Sequence, residues 1–344
     1  MAAAPPLRDL HPRHGIHEPS SGTPARTPGS VRRTTTIDML RPDGLERPLV
    51  LVGRGQDIRT GPGGELRVIT EAGCRGVVDF VNGRKLTEFS SDPVRPLGGL
   101  IGARVASGFR GLLDAADPVL AAEHNLLYLM LDDFPVAALV SGHALLAARA
   151  PGPALPPPDG RYRFTADLCS GFVSGGTIMS GVAETGLAPA VTGPLAPPLV
   201  DPEDVGAWHP TAALPPQAMR RARRIDVRPG PRPDDTAAVD ALFRDTYVLP
   251  DGTETVIHEY AVTAEVDTRT GTLTACRAVP HVLPWVECPA AAASAGRLAG
   301  QPLAGLRRHV RDEFTGISTC THLNDTLRAL EDVPALLRLA ATRG

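Results

Sequence analysis

The sequence predicts an α+β fold made of two similar units, each a small antiparallel sheet followed by helices. Three observations predict it. Strand-like runs precede helix-like runs in both the first and the last third of the chain. Each of those thirds opens with paired arginines ahead of a short strand: Arg32-Arg33 before Ile37-Asp38-Met39, and Arg220-Arg221 before Ile225-Asp226-Val227. Proline-rich stretches at 150–159 and 189–216 lie between them and can continue neither a helix nor a central strand. The chain therefore divides into a solvated, disordered tail (1–30), an N-terminal unit (31–149), a Gly/Pro-rich connecting segment (150–218) and a C-terminal unit (219–344).

The elements follow in order. In the first unit, Pro48–Val52 and Glu65–Ile69 alternate as half-buried strands do. In the second, Ala241–Val248 and Tyr260–Val266 alternate, and Thr268-Arg-Thr-Gly271 has the composition of a hairpin turn. Helices are expected at Pro289–Leu298, Leu303–Glu313 and Thr321–Ala340, the last capped by Thr321 and kinked or split at Pro334. At a constant offset of 198, Gly98, Leu100, Gly102, Ala106, Arg110, Asp114, His124 and Leu129 recur as Gly296, Leu298, Gly300, Ala304, Arg308, Asp312, His322 and Leu327. This agreement points to an internal duplication with a degenerate N-terminal copy.

Composition narrows the function classes. The 344 residues carry a net charge of −3, with 42% hydrophobic and 21% charged residues, which suits a soluble chain able to bury two cores. Near-neutral charge argues against a nucleic-acid or membrane-surface binder. The basic run Arg220–Arg224 is followed by acidic residues and reads as a solvated or salt-bridged strand start. No run of consecutive apolar residues reaches the length of a membrane helix. The N-terminus lacks an apolar signal core, and the five cysteines are odd in number. Both point to reduced thiols in the cytoplasm.

The densest reactive cluster is Cys288 with Cys320-x-His322. Thiolate and imidazole are ligands for zinc or for iron, including iron–sulfur centres. Both cysteines stand at helix starts, where the helix dipole favours a thiolate, so metal ligation and thiol or His-base catalysis are both open. The alternative is that both are small buried hydrophobes and His322 a hydrogen-bonded cap. The first unit has Ala122 in place of Cys320. Cys74 and Cys276 fall in strand-like runs and read as core. In the connecting segment, Cys169 lies in a glycine-rich stretch that is neither a phosphate loop nor a dinucleotide fingerprint. Trp208-His209 reads as a packing anchor or a pocket wall, with His209 a second general-base candidate. Cys169, Trp208 and Asp325 are the candidate lining of a small-molecule pocket.

Several motifs together carry a resemblance: Asp167-x-Cys169-x-Gly171, Gly176-Thr-Ile-Met179, Gly193-Pro-Leu-Ala-Pro-Pro198, Ala207-Trp-His-Pro210, Met219–Val227, Cys288 and Cys320-Thr-His-Leu323. They resemble the bacterial domain-of-unknown-function family number 2889, a cytosolic group whose membership implies no particular reaction. His258-Glu259-Tyr260 stands where that pattern has His-Asp-Met, and Asn324-Asp325 where it has Thr-Glu. More distantly, hairpin strands, a Cys before a small-residue helix and a Cys/His element opening the last helix are similar to iron–sulfur scaffolds of the NifU/SufE type. That likeness implies a hairpin cysteine near an aspartate. Here the stretch has Asp245 but no cysteine, unless Cys169 substitutes.

Overall fold

The computed structural model describes residues 10–80, 82–148, 165–232 and 235–341. The first nine residues and the proline run at 150–159 lie outside them. The strands are β1 (Val31–Leu40), β2 (Leu49–Thr60), β3 (Leu66–Asp79), β4 (Lys85–Asp92), β5 (Met219–Arg228), β6 (Thr236–Val248), β7 (Glu254–Asp267) and β8 (Thr272–Val282). They form one antiparallel sheet in the order β4-β3-β2-β1-β5-β6-β7-β8. The helices are α1 (Phe109–Ala116), α2 (Pro118–Ala122), α3 (Leu126–Val140), α4 (Gly142–Ala147), α5 (Thr177–Thr185), α6 (Leu306–Glu313), α7 (Thr321–Ala329) and α8 (Val333–Ala341). The α+β class is thus correct. The two four-stranded ladders share one sheet and one contiguous apolar core.

The ladders join where β1 pairs β5, with Val31 opposite Val227, Met39 opposite Met219, and Thr35 opposite Arg223 midway. On either side of that pair the geometry repeats. Arg33 grips Asp57 through Nε (2.7 Å) and Nη2 (2.8 Å), and Arg221 grips Asp245 through Nε and Nη2 at 3.0 Å each. A bulge follows Asp57 in the β2–β3 ladder and Asp245 in the β6–β7 ladder. The Leu86 amide donates to the Ala103 carbonyl as Leu273 does to that of Gln301, both at 2.9 Å. The starts of α1 and α6 correspond with a slip of one residue from the offset of 198, and those of α3 and α7 with a slip of three. Gly108 and Gly305, both with positive φ, immediately precede α1 and α6. Arg110 therefore matches buried Arg307, and the exposed Arg308 has no counterpart role.

One face of the sheet is covered by helices, α3 over β1–β3 and α8 over β1 and β5. α3 is the central core helix, with fourteen of its fifteen residues buried, apolar but for Asp132 and Asp133, which pair with arginines. Asn125 caps it by accepting from the Leu127 amide at 2.9 Å. The span Leu126–Ala147 is long and apolar enough to cross a membrane by length and composition, with mean hydropathy 1.4, yet 72% of it is buried against the rest of the fold. It approaches β3 closely at Gly76, where a Cβ would stand 2.9 Å from the Phe134 ring. In the C-terminal half the expected helices appear, with adjusted ends. Cys288–Leu298 is a 3₁₀ stretch, and the last helix is split by a 3₁₀ turn at Leu330–Asp332 ahead of Pro334. Cys320, not Thr321, is the N-cap of α7.

The other face is covered by two loops. Residues 10–30, expected as solvated tail, are laid along the sheet instead. His17 bridges Val282 at the β8 edge, and the Glu18 amide donates to the His281 carbonyl (2.8 Å). Further on, the Ser20 amide donates to Glu259 (2.7 Å) and Arg26 pairs Asp204 (2.7 Å). Unpaired edge amides and buried carboxylates supply the partners that this polar segment needs. The second loop carries Trp208, whose Nε1 donates to Thr23 Oγ1 at 2.7 Å and whose ring packs with Ala207, Ala222 and Leu199.

Candidate functional site

The site is built on one rung of the C-terminal ladder. Register sets Arg221, Asp245 and His258 side by side on β5, β6 and β7, and Phe243 beside Tyr260 two residues along on the same face. Period-two alternation turns all of them toward the helices. The bulge after Asp245 falls at this rung, and bulges re-aim side chains. α7 lies above. His322 stacks on His258 with ring centroids 3.8 Å apart and planes at 20°, and on Phe243 at 6.2 Å. One turn on, Asp325 binds Arg221 (2.7 Å) and Arg328 (2.6 Å).

Charges at this rung are fixed by burial and pairing. Burial opposes ionisation of Asp245, but Arg221, and after it His258, outweigh burial and hold the carboxyl well below its usual range. His258 Nδ1 is 3.3 Å from Asp245 Oδ2. Burial, reinforced by His258, pushes the His322 imidazole well below its ordinary value, so the ring is neutral. Asp325, the expected pocket residue, is held ionised by Arg328 and Arg221 against its burial and belongs to the ion network that anchors α7.

Three cysteines meet at the edge of this rung. Cys320 Sγ is 3.7 Å from His322 Nδ1. A turn at Cys169–Phe172 bridges the two other loops: the Ser170 amide donates to the Thr319 carbonyl (2.9 Å) and its hydroxyl to that of Cys288 (3.2 Å). A Cβ on Gly171 would stand 2.9 Å from Cys288 Sγ, so only glycine lets this turn come so near. Burial, then the Cys320, Cys288 and Cys169 thiols around it, push the Tyr260 phenol well above its ordinary value. The expectation of thiols activated by helix N-termini is corrected here. Burial raises Cys320 to about 11 although the Leu323 and His322 amides face it, and raises Cys288 further. A helix dipole contributes about 0.3–1 kcal/mol, too little to offset full desolvation. Cys169 is also raised, again mainly by burial.

Among the described residues, one group of donors stands with its ligand atoms all within 4.8 Å: Asp245, His258 and His322. It shares only His322 with the Cys288–Cys320–His322 set read from the sequence. His322 Nε2 is buried without a hydrogen-bond partner, while His258 Nδ1 faces only the Asp245 carboxylate and the Tyr260 hydroxyl lies against the Cys320 thiol.

The other candidates lie elsewhere. Thr34 and Thr36 face away from Arg33, and their hydroxyls lie 2.9 Å from His209 Nδ1 and Nε2. His209 and Trp208 are therefore on the opposite face of the sheet from His322, and the two histidines cannot share a site. Burial, then Arg220, lowers His209 to about 4, which suits a neutral structural bridge. That face carries two open depressions, of about 590 Å³ beside Arg54, Glu71 and His209 and about 540 Å³ beside Arg32, Asp226 and Arg277. Cys74 and Cys276 are buried in β3 and β8 as expected. Of the two readings of the basic run, the salt-bridged strand start holds and the solvated one does not: Arg221, Arg223 and Arg224 are buried in the first half of a central strand, each paired with a carboxylate.

Residues 219–336 match the model of a family described as protein of unknown function, DUF2889. This segment belongs to that family. The DUF2889 match begins with β5 and ends inside α8, so it takes in the whole C-terminal ladder, its helices and the Asp245–His258–His322 group. Cys169 and the N-terminal half lie outside it. No curated protein and no solved structure matches the chain.

Proposed function

We propose that the DUF2889 segment binds a divalent transition-metal ion at His322, His258 and Asp245, with the Cys320 thiol alongside. The observation that carries this reading is the convergence of the three donors within 4.8 Å, with the buried His322 Nε2 unpartnered. Leaving such an atom unsatisfied costs about 1–3 kcal/mol, which a ligand would recover. Imidazole and carboxylate suit zinc or ferrous iron, and a thiol neighbour favours zinc. A ligated ion lies near the plane of each imidazole, so the stacked rings cannot both bind as they stand. Binding turns the His322 ring, and no hydrogen bond at Nε2 opposes that turn. Cys288 and Cys169 then shield the site, and become ligands only if an iron–sulfur centre is held instead. The test is elemental analysis of protein produced with zinc or iron supplied. A stoichiometric metal lost in His322→Gln and His258→Gln is expected; wild-type protein without metal sinks the reading.

A second reading rests on the 3.3 Å approach of Asp245 to His258. A carboxylate beside an imidazole is the arrangement that orients a general base, here for a small metabolite. Metal-free protein that is thermally stabilised by such a compound, with the effect lost in His258→Gln, would favour it over the metal.

We further infer that the two halves arose by duplication. Repeated Arg–Asp grips and repeated bulges support this, and Thr70 occupies the rung position that His258 has in the other half. An experimental structure in which β1–β4 did not superpose on β5–β8 with Asp57 on Asp245 would overturn it.

A further inference from the structure

The first residues of β3 and β7 correspond, yet only those of β7 are covered. Asp57 faces Thr70 and Ile58 faces Val68, as Asp245 faces His258 and Thr246 faces Val256. Residues 66–68 on β3 therefore match 254–256 on β7. Neither stretch has an edge strand beside it, because β8 pairs β7 only from Glu259 onward and β4 pairs β3 only from Gly73 onward. On β7 the connecting segment fills the gap. Leu195 bridges Thr255, the Val256 amide donates to the Pro194 carbonyl (2.9 Å), and the Ala196 amide donates to the Glu254 carbonyl (3.0 Å). A Cβ on Gly193 would stand 1.7 Å from the Val256 carbonyl oxygen, so only glycine admits this approach. Thr255 and Val256 are 1% and 0% exposed. Among the described residues, nothing pairs with 66–68 on that side, and Leu66 and Val68 are 36% and 44% exposed. Leu66 lies against Gly206, next to Val205, which is 67% exposed. The open depression of about 590 Å³ continues this edge at Glu71 and Gly73. An unpaired edge with exposed apolar side chains is a template for another extended chain.

We propose that residues 66–68 of β3 receive an extended, proline-containing segment of a partner protein, paired as residues 194–196 pair on β7. Register sets the chemistry of that segment. The β7 pairing uses the Pro194 carbonyl and the Ala196 amide, so proline in the first place forfeits no bond. Carried over to β3, the residue in the place of Pro194 lies beside Val68, and that in the place of Ala196 lies beside Leu66. Both places suit small apolar side chains. The residue between them faces Arg67, which is exposed. An acidic side chain there gains a cross-strand charge pair. Ile69 is skipped in the pairing with β2, and a bulge at an edge ends further pairing. The seat therefore takes a short segment and resists a long strand from a second copy.

The experiment is fluorescence anisotropy of a labelled Thr-Gly-Pro-Glu-Ala-Pro-Pro peptide titrated with the full-length protein. We expect saturable binding with Kd below about 1 mM, the weak end of specific affinity. Replacing the peptide's Glu by Lys should weaken binding at least about twofold, because the pair with Arg67 becomes a repulsion. Val68→Pro removes the outward amide and leaves the β2 side untouched, and it should abolish binding. Val68→Glu should do the same by repelling the acidic peptide, and it replaces Val68→Pro if circular dichroism shows that variant unfolded. Absence of saturable binding, or wild-type binding in a folded Val68→Glu, overturns the proposal. A wild-type dimer in sedimentation that Val68→Glu dissociates would assign the edge to a second copy, and also overturns it.

Discussion

Cys320 caps α7 with its backbone, while its thiol is buried against His322 and Tyr260. A thiol raised to about 11 is almost wholly protonated at pH 8, and only the thiolate is nucleophilic. We expect iodoacetamide at pH 8 to leave Cys320 and Cys288 unmodified in the folded protein and to modify them in urea. Mass mapping of the labelled sites is the check, and rapid labelling of either in the fold would contradict the assignment. Cys288, Cys320 and His322 were legible in the sequence because each stands at or near a helix start, a local signal. Asp245 and His258 were not. Their approach depends on strand register and on a bulge, and neither is encoded within either strand alone. The charged Asp245 on the inward alternation of β6 was the one available sign.

β5 shows that a salt-bridged strand start can be read from sequence while its remote partners cannot. Its arginine run has the look of a solvated patch. Yet Arg221 reaches Asp245 on β6 and Asp325 on α7, and Arg223 reaches Asp133 on α3. The carboxylates come from three other elements, so no local pattern reveals that the run is neutralised. Removing one partner of a buried pair leaves uncompensated charge, at a cost of about 3–5 kcal/mol. Arg221→Met strands Asp245 and Arg33→Met strands Asp57, whereas Asp325 and Asp332 keep Arg328 and Arg307. Urea denaturation should show a loss of that size for each. A loss below about 1 kcal/mol in both would mean that the network adds little. The α+β class and the order of strands before helices were read correctly because alternation, turn residues and Pro334 are local. The docking of residues 10–30 was not, because their composition is that of a solvated tail.

Acid lability follows from the whole set of buried titratable groups. His143 and His209 sit at about 4 against an ordinary 6.5. The unfolded chain therefore takes up more protons than the fold between those values, and stability falls as pH drops from 6.5 to 4. Each histidine contributes at most about 3 kcal/mol to that fall. Asp332 is buried, but Arg307 and Arg33 outweigh burial and depress it to about 2. Its contribution is present above the ordinary carboxylate value of about 4 and is lost as pH falls toward 2. Urea midpoints at pH 7.5, 5 and 3 should decrease in that order. Equal midpoints at pH 7.5 and 5 would refute the histidine part.

The rung where β1 meets β5 also decides which halves can pair. Thr35 and Arg223 lie opposite each other at the centre of that ladder, and the repeated geometry makes each the counterpart of the other. Two C-terminal halves joined through the same ladder would bring Arg223 against Arg223, with Cβ atoms about 5 Å apart in a buried sheet. Two N-terminal halves would meet as threonines, without repulsion but without the Arg223–Asp133 pair. The arginine–threonine mismatch at the centre therefore acts as a lock on partner choice, favouring one half of each kind.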